Sequence, residues 1–211
     1  MAQAAHAPAS RRTRQEWLAW EEAQPERYEL LWDEPTLMAG GTDRHAGIAV
    51  NVAALLRERL RGTPCRVRTD LKVGLPDGRW VYPDVFVRCT PRDGTETLID
   101  DPVLVVEVLS PGTLIYNTSE KRWAYQGLPS LRHLLVVAQD QAKVEVASRD
   151  PDGTWRSVFH IGLDAELHLA AFDINLPLAG IYEDIEFPAA ASADSAQSEA
   201  PNESSTTAAK A

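Results

Sequence analysis

Asp84 and Glu107 are the residues of this chain best suited to chemistry, because each interrupts a segment that is otherwise apolar. The first lies in Val81-Tyr82-Pro83-Asp84-Val85-Phe86-Val87 and the second in Val103-Leu104-Val105-Val106-Glu107-Val108-Leu109. A carboxylate taken from water into an apolar surround loses several kcal/mol of solvation unless a cation or strong donors compensate. The loop between segments 82–89 and 102–109 is short enough for them to pair as antiparallel neighbours. If Cys89 lies opposite Pro102, then Asp84, Phe86 and Arg88 share a face with Glu107, Val105 and Val103. Asp84 then stands across from Glu107 with β-carbons about 5 Å apart. Like charges that close resist double ionisation unless one keeps a proton or a cation binds both. An all-oxygen pair open to water suits Mg²⁺ or Mn²⁺ better than zinc.

Two carboxylates become a catalytic centre for phosphodiester hydrolysis when a lysine joins them, to orient water or to stabilise developing charge. The usual place for that lysine is two residues after the glutamate on the same strand, which here is Leu109. The alternatives are Lys121, in the helix after the loop, and Lys72, on the preceding strand. Tyr125, one helical turn after Lys121, falls on the same helix face and can orient it or pack in the core. His45 reads as a surface or capping residue at a helix start, and His133 as the entrance to a buried strand. His160 and His168 have no zinc spacing, and no P-loop, dinucleotide fingerprint or Gly-x-Ser-x-Gly elbow occurs.

The elements that must position these groups follow from periodicity and punctuation. Thr13 and Glu16 have capping-box spacing for a helix to about Ala23, with Trp17, Leu18 and Trp20 as its apolar contribution. Two short strands, Arg27 to Trp32 and Thr36 to Met38, flank a turn at Asp33-Glu34-Pro35. A longer helix from Thr42 or Asp43 to about Arg61 carries Ile48, Val52, Leu55, Leu56 and Leu60 at helical period. Strands are then expected at Cys65 to Val73 and in the two acidic segments. Beyond a break at Ser110-Pro111-Gly112 comes a helix near Thr118 to Gln126, with Asn117 and Glu120 as a second capping box. Strands at Leu131 to Ala138, Lys143 to Ser148 and Trp155 to Ile161 complete an α/β domain, a mixed sheet flanked by helices.

At 211 residues the chain accommodates one domain with a sizeable core, read here as residues 13–187, followed by a disordered, acidic, Ala/Ser-rich tail at 188–211. No apolar stretch approaches the roughly 20 residues of a membrane span, and the Ala-rich first ten residues lack the apolar core of a secretory signal. Cys65 and Cys89 fit buried free thiols in a cytoplasmic protein. The formal charge of −10 argues against a broad basic nucleic-acid surface. A polyanion would need metal ions or a local strip such as Arg57, Arg59, Arg61, Arg66 and Arg68, whose simplest reading is a solvated helix face and an exposed strand.

The sequence resembles the Uma-type restriction endonucleases of the PD-(D/E)xK restriction-endonuclease-like superfamily. The likeness rests on Tyr28-Glu29-Leu30, on Tyr82-Pro83-Asp84-Val85-Phe86-Val87, and on Pro102 through Glu107-Val108-Leu109-Ser110-Pro111-Gly112-Thr113. It continues through Glu120-Lys121, Tyr125, Leu128-Pro129-Ser130-Leu131 and Ile181-Tyr182-Glu183-Asp184. It implies a restriction-endonuclease-like fold that hydrolyses DNA with Mg²⁺ or Mn²⁺; because nucleases that cut both strands of a duplex often pair two active sites, a homodimer is compatible with that activity. By the same resemblance Asp84, Glu107 and the Val108 carbonyl would hold the metal. Lys121 would be a lysine moved from strand to helix, and Glu29 an accessory acid. The alternative is a nucleic-acid-binding or regulatory module that keeps the fold without the chemistry, in keeping with Leu109 at the strand position and with Asn117 where similar sequences commonly carry Asp.

Overall fold

The computed structural model describes residues 13–30, 34–38, 41–91, 94–109 and 116–188, with side chains in the third helix described from Glu120 onward. The break expected at Ser110-Pro111-Gly112 and the tail beyond residue 188 lie outside the described residues.

Helix α1 (Arg14–Glu22) starts with the expected capping box, in which the Thr13 side chain accepts from the Glu16 N–H and Glu16 accepts from the Thr13 N–H at 2.7 Å. Strands β1 (Tyr28–Leu30) and β2 (Pro35–Leu37) pair antiparallel. Helix α2 (Asp43–Arg59) is capped by Thr42, whose hydroxyl accepts from the His45 N–H. Its stripe Ile48, Val52, Leu56 and Leu60 is buried. Each such side chain removed from water contributes about 1.5–3 kcal/mol.

The region expected as one strand from Cys65 to Val73 is two strands in different sheets. β3 (Arg66–Arg68) and β4 (Lys72–Gly74) are separated at Asp70, whose φ of 62° turns the chain out of extended conformation. The first acidic segment divides in the same way, into β5 (Trp80–Val81) and β6 (Val85–Arg88), on either side of Tyr82-Pro83-Asp84. Pro83 has no N–H to give to a ladder, so a change of sheet there costs no hydrogen bond. Asp84 therefore sits at the crossing between sheets and not within a strand.

Strands β7 (Leu98–Ile99), β8 (Leu104–Val108), β9 (His133–Val137), β10 (Lys143–Arg149) and β11 (Trp155–Ile161) complete two mixed sheets. One runs β2-β1-β5-β4-β7 and the other β11-β10-β9-β8-β6-β3, with parallel pairs β4/β7 and β8/β9. Helix α3 (Tyr116–Gln126) connects that second parallel pair. It begins one residue before Asn117, which falls inside the first turn and is not the expected cap. A hairpin of β12 (Glu166–Leu169) and β13 (Ile174–Pro177), then α4 (Leu178–Ile181), follow where no elements were expected.

The six-stranded sheet is covered on both faces. Val85, Val87, Leu104 and Val106 pack with α2 and the β12/β13 hairpin. Phe86, Val105, Leu134 and Val136 pack with Tyr125 and Leu128 of the α3 region and with Val73, Val81 and Ile99 of the other sheet. The expectation of two free thiols is overturned, since Cys65 and Cys89 are joined by a disulfide across the β3/β6 edge. The pairing Arg66↔Arg88, continued by one residue, sets the two cysteines opposite each other.

Candidate active site

The antiparallel register Val85↔Val106, Phe86↔Val105, Val87↔Leu104 is the one expected from the sequence, and one further step sets Asp84 across from Glu107. Asp84 Oδ2 accepts the Val108 N–H at 2.7 Å, a bond that ties the crossing between sheets to the end of β8. Its other oxygen faces His45, with Oδ1 3.4 Å from Nε2. The Asp84 side chain is 21 % exposed and that of His45 17 %, so the pair is screened but reachable from solvent.

His45 belongs to the site, contrary to its reading as a surface or cap residue. Helix α2 begins beside β8 because buried Gln139 links them, its Nε2 donating to the Leu109 carbonyl at 2.6 Å and its Oε1 accepting from Thr42 Oγ1 at 2.8 Å. Gly41 leaves room for the imidazole, since a β-carbon there would come within 2.8 Å of His45 Nδ1. The hydrogen bond to Asp84 raises the His45 pKa, partly opposed by burial and reinforced by the charges of Asp84 and Glu107.

Glu107 is fixed from α3. Lys121 and Tyr125, four residues apart on one helix face, both reach it. Tyr125 donates its hydroxyl to Glu107 Oε1 at 2.6 Å, and the Lys121 ammonium stands 3.5 Å from Oε2. The helix itself is held by a bidentate Arg122–Glu145 pair onto β10, with contacts of 2.7 and 2.5 Å. Burial raises the Glu107 pKa to about 7, with Asp84 and Glu29 adding to it and Lys121 opposing. Burial acts against the Lys121 charge, but Glu107 and Glu29 outweigh it and the ammonium is held more firmly than in water. Tyr125, fully buried beside the carboxylates, has its pKa raised well above the ordinary value.

Glu29 on β1 completes the cluster. Its Oε1 accepts both from Lys121 Nζ and from the Tyr82 N–H, each at 2.9 Å. The structure thus brings together Glu29, Asp84, Glu107 and Lys121, the four side chains singled out in the sequence. Lys72, the other lysine considered, is drawn away. It pairs with Glu21 of α1 at 2.6 Å, and Glu21 also accepts from the Tyr82 hydroxyl at 2.8 Å. Glu21 escaped the sequence reading because it sits in a polar helix turn. Lys72 carried a usable signal, a charge within an apolar strand.

The donor set is consistent with a hard divalent cation. Asp84, at the crossing between sheets, and Glu107, on β8, offer carboxylate oxygens, with the Val108 backbone beside them. Mg²⁺ commonly takes only one or two carboxylates and fills its shell with water. Among the described residues no group of three or more His, Cys, Asp or Glu side chains is arranged to hold a metal. A site here would therefore rely on two carboxylates, backbone and water. No described helix is long and apolar enough to cross a membrane.

Comparison with known proteins agrees with the fold. The uncharacterized protein slr1290 of Synechocystis sp. is 32 % identical over 184 residues, covering 86 % of this chain and 96 % of its own. A second uncharacterized Synechocystis protein, sll1609, is 25 % identical over 167 residues, 77 % of this chain and 94 % of its own. A crystal structure from Anabaena variabilis, described as a "putative nuclease belonging to DUF820", superposes with a TM-score of 0.67 at 15 % identity. It covers 81 % of this chain and 97 % of that one, and shares the mixed α/β architecture. Residues 14–179 match the family model described as "Uma2: Putative restriction endonuclease", and the chain belongs to that family.

Proposed function

We propose that this protein is a metal-dependent endonuclease that hydrolyses phosphodiester bonds of DNA, with Asp84, Glu107 and the Val108 carbonyl holding Mg²⁺ or Mn²⁺. The observation that carries this reading is the position of the Lys121 ammonium, between Glu29 at 2.9 Å and Glu107 at 3.5 Å. A lysine delivered from a helix thus stands beside Glu107, where Leu109, just beyond the end of β8, offers no charge. When bound, the metal supplies Lewis-acid polarisation of the phosphate and a lowered pKa for a coordinated water.

The chain's own groups do the rest. Lys121 stays protonated and presents a fixed positive charge where negative charge develops on the phosphate oxygens, so little reorganisation is needed at the moment of reaction. Glu29 anchors that ammonium and is itself aimed by the Tyr82 N–H. Tyr125 orients Glu107 through a single oxygen. The remaining lone pairs of that carboxylate stay available for a cation. His45 places an imidazole on the far side of Asp84.

Titration of Mg²⁺ and Mn²⁺ by calorimetry into the wild-type protein and Asp84→Asn tests the metal site. Incubation of single-stranded, duplex and branched DNA with wild type and Glu107→Ala tests turnover. Binding lost in Asp84→Asn and cleavage lost in Glu107→Ala are expected. A protein that binds no divalent ion, or cleavage that survives Glu107→Ala, overturns the reading.

A further inference from the structure

The five arginines of the expected basic strip do not share one role. Two open clefts meet on the α2 side of the molecule. The first starts at the candidate site, where His45, Tyr82, Pro83 and Asp84 form its wall, and runs along Ala46, Val50 and Ala53 of α2 to Arg57 and Arg68. The second continues from Arg57 and Arg68 to Arg61 and Arg66. Arg59 lines neither. One groove therefore leads from Asp84 to four guanidinium groups in an otherwise acidic protein.

These four side chains are exposed, and none has a carboxylate partner among the described residues. Arg66 and Arg68 donate only to the neighbouring carbonyls of Thr63, Cys65 and Val67. Arg57 lies in the last turn of α2 and Arg61 two residues beyond its end, so two like charges stand close together at the helix terminus. Arg66 and Arg68 share one face of β3, the edge strand of its sheet. Charge on an edge strand protects it from pairing with another chain. That role does not explain why Arg57, in the last turn of α2, and Arg61, just beyond it, line the same cleft. Between the arginines and the acids the helix presents mainly alanines, which let a bulky ligand approach the backbone closely. Asp70, the other acid on the wall, is paired with Arg27.

We infer that this groove seats the phosphate backbone of DNA, with Arg57, Arg61, Arg66 and Arg68 gripping phosphates on one side of the bond that lies at Asp84. The inference rests on the nuclease reading for its choice of occupant. Ala46 and Arg57 are eleven residues apart on α2, roughly 16 Å. That is the axial length of about five nucleotides at 3.4 Å each. The substrate must therefore extend about that far to one side of the scissile phosphate before the grip engages.

Fluorescence anisotropy with labelled duplex and single-stranded DNA, in EDTA and across a salt series, tests this on the full chain. The variants are Arg57→Gln with Arg61→Gln, and Arg66→Gln with Arg68→Gln. Arg132→Gln with Arg156→Gln is a charge-matched control elsewhere on the surface, and thermal melting verifies folding in each. Removing two phosphate contacts should lower the slope of log K against log salt by about 1.8 for duplex, and weaken binding roughly 60-fold at about 0.1 M salt. The control should bind like wild type. Groove variants that bind like wild type overturn the inference while leaving the nuclease reading intact, as does a control that loses as much affinity as they do. A wild-type protein that binds neither DNA also overturns it. Binding that depends on the arginines, joined with cleavage unaffected by Glu107→Ala, upholds the groove and removes the catalytic assignment instead.

Discussion

Replacing Glu107 with Gln should reveal how much folding stability the site sacrifices at neutral pH. In the folded protein the Glu107 pKa is raised from 4.5 to about 7. Ionising a carboxyl group under that handicap costs about 3 kcal/mol. Because the folded state holds its proton more tightly than the unfolded chain, this contribution is fully present below about pH 4.5 and is lost as pH rises through about 7. For a domain of this size, 1 kcal/mol corresponds to about 2–4 °C in Tm, so the loss amounts to roughly 6–12 °C. Gln has the same shape and can accept the Tyr125 hydroxyl but cannot ionise. The assay is differential scanning fluorimetry of metal-free wild type and Glu107→Gln between about pH 4 and about pH 8. The Tm of the variant relative to wild type should rise by that amount across the series. Saturating Mg²⁺ should close much of the gap by stabilising wild type alone, through its binding to the native state. Parallel pH profiles in the absence of metal would refute the claim that Glu107 is the strained acid.

Lys121→Met should leave Glu29 and Glu107 partly buried without their cation, lowering stability by about 3–5 kcal/mol in urea unfolding. If the variant still folds, its cleavage rate should fall about 10²- to 10³-fold. Tyr125→Phe removes one donor to Glu107, so the pH at which Glu107 ionises should move upward in an NMR titration, with a stability loss of about 1 kcal/mol. Leu56→Ala, at a fully buried position of α2, should cost about 2–5 kcal/mol with an unchanged denaturant slope.

Much of the site could be read from the chain because its signals were local. Asp84 and Glu107 break apolar runs, and the two strands could pair in few ways that kept the acids on one face, so the register followed. Lys121 and Tyr125 were linked by helical spacing alone. The two sheets were not legible, because alternation of side chains continues through a bend. Leu71-Lys72-Val73 and Val85-Phe86-Val87 look like extensions of the strands before them, yet the chain changes sheet at Asp70 and again at Pro83. His45 gave no local sign either. Its place is set by Gln139, nearly a hundred residues further along, which joins the α2 cap to the end of β8. Cys65 and Cys89 became partners through the β3/β6 register, information carried by neither cysteine's neighbours.

The crossing at Tyr82 also fixes how short the protein can be made. Its amide is held by Glu29 and its hydroxyl by Glu21, both contributed by the first elements of the chain. Those acids are the partners of Lys121 and Lys72, which come from distant parts of the sequence. A chain shortened to begin at α2 would retain the six-stranded sheet with Asp84 and Glu107, but would enclose two lysines stripped of Glu29 and Glu21. The leading helix and strand thus function as a built-in counterion for the rest of the fold. In fragment complementation divided after residue 38, adding the smaller piece to the larger should restore the fold, with Glu21 and Glu29 again pairing with Lys72 and Lys121.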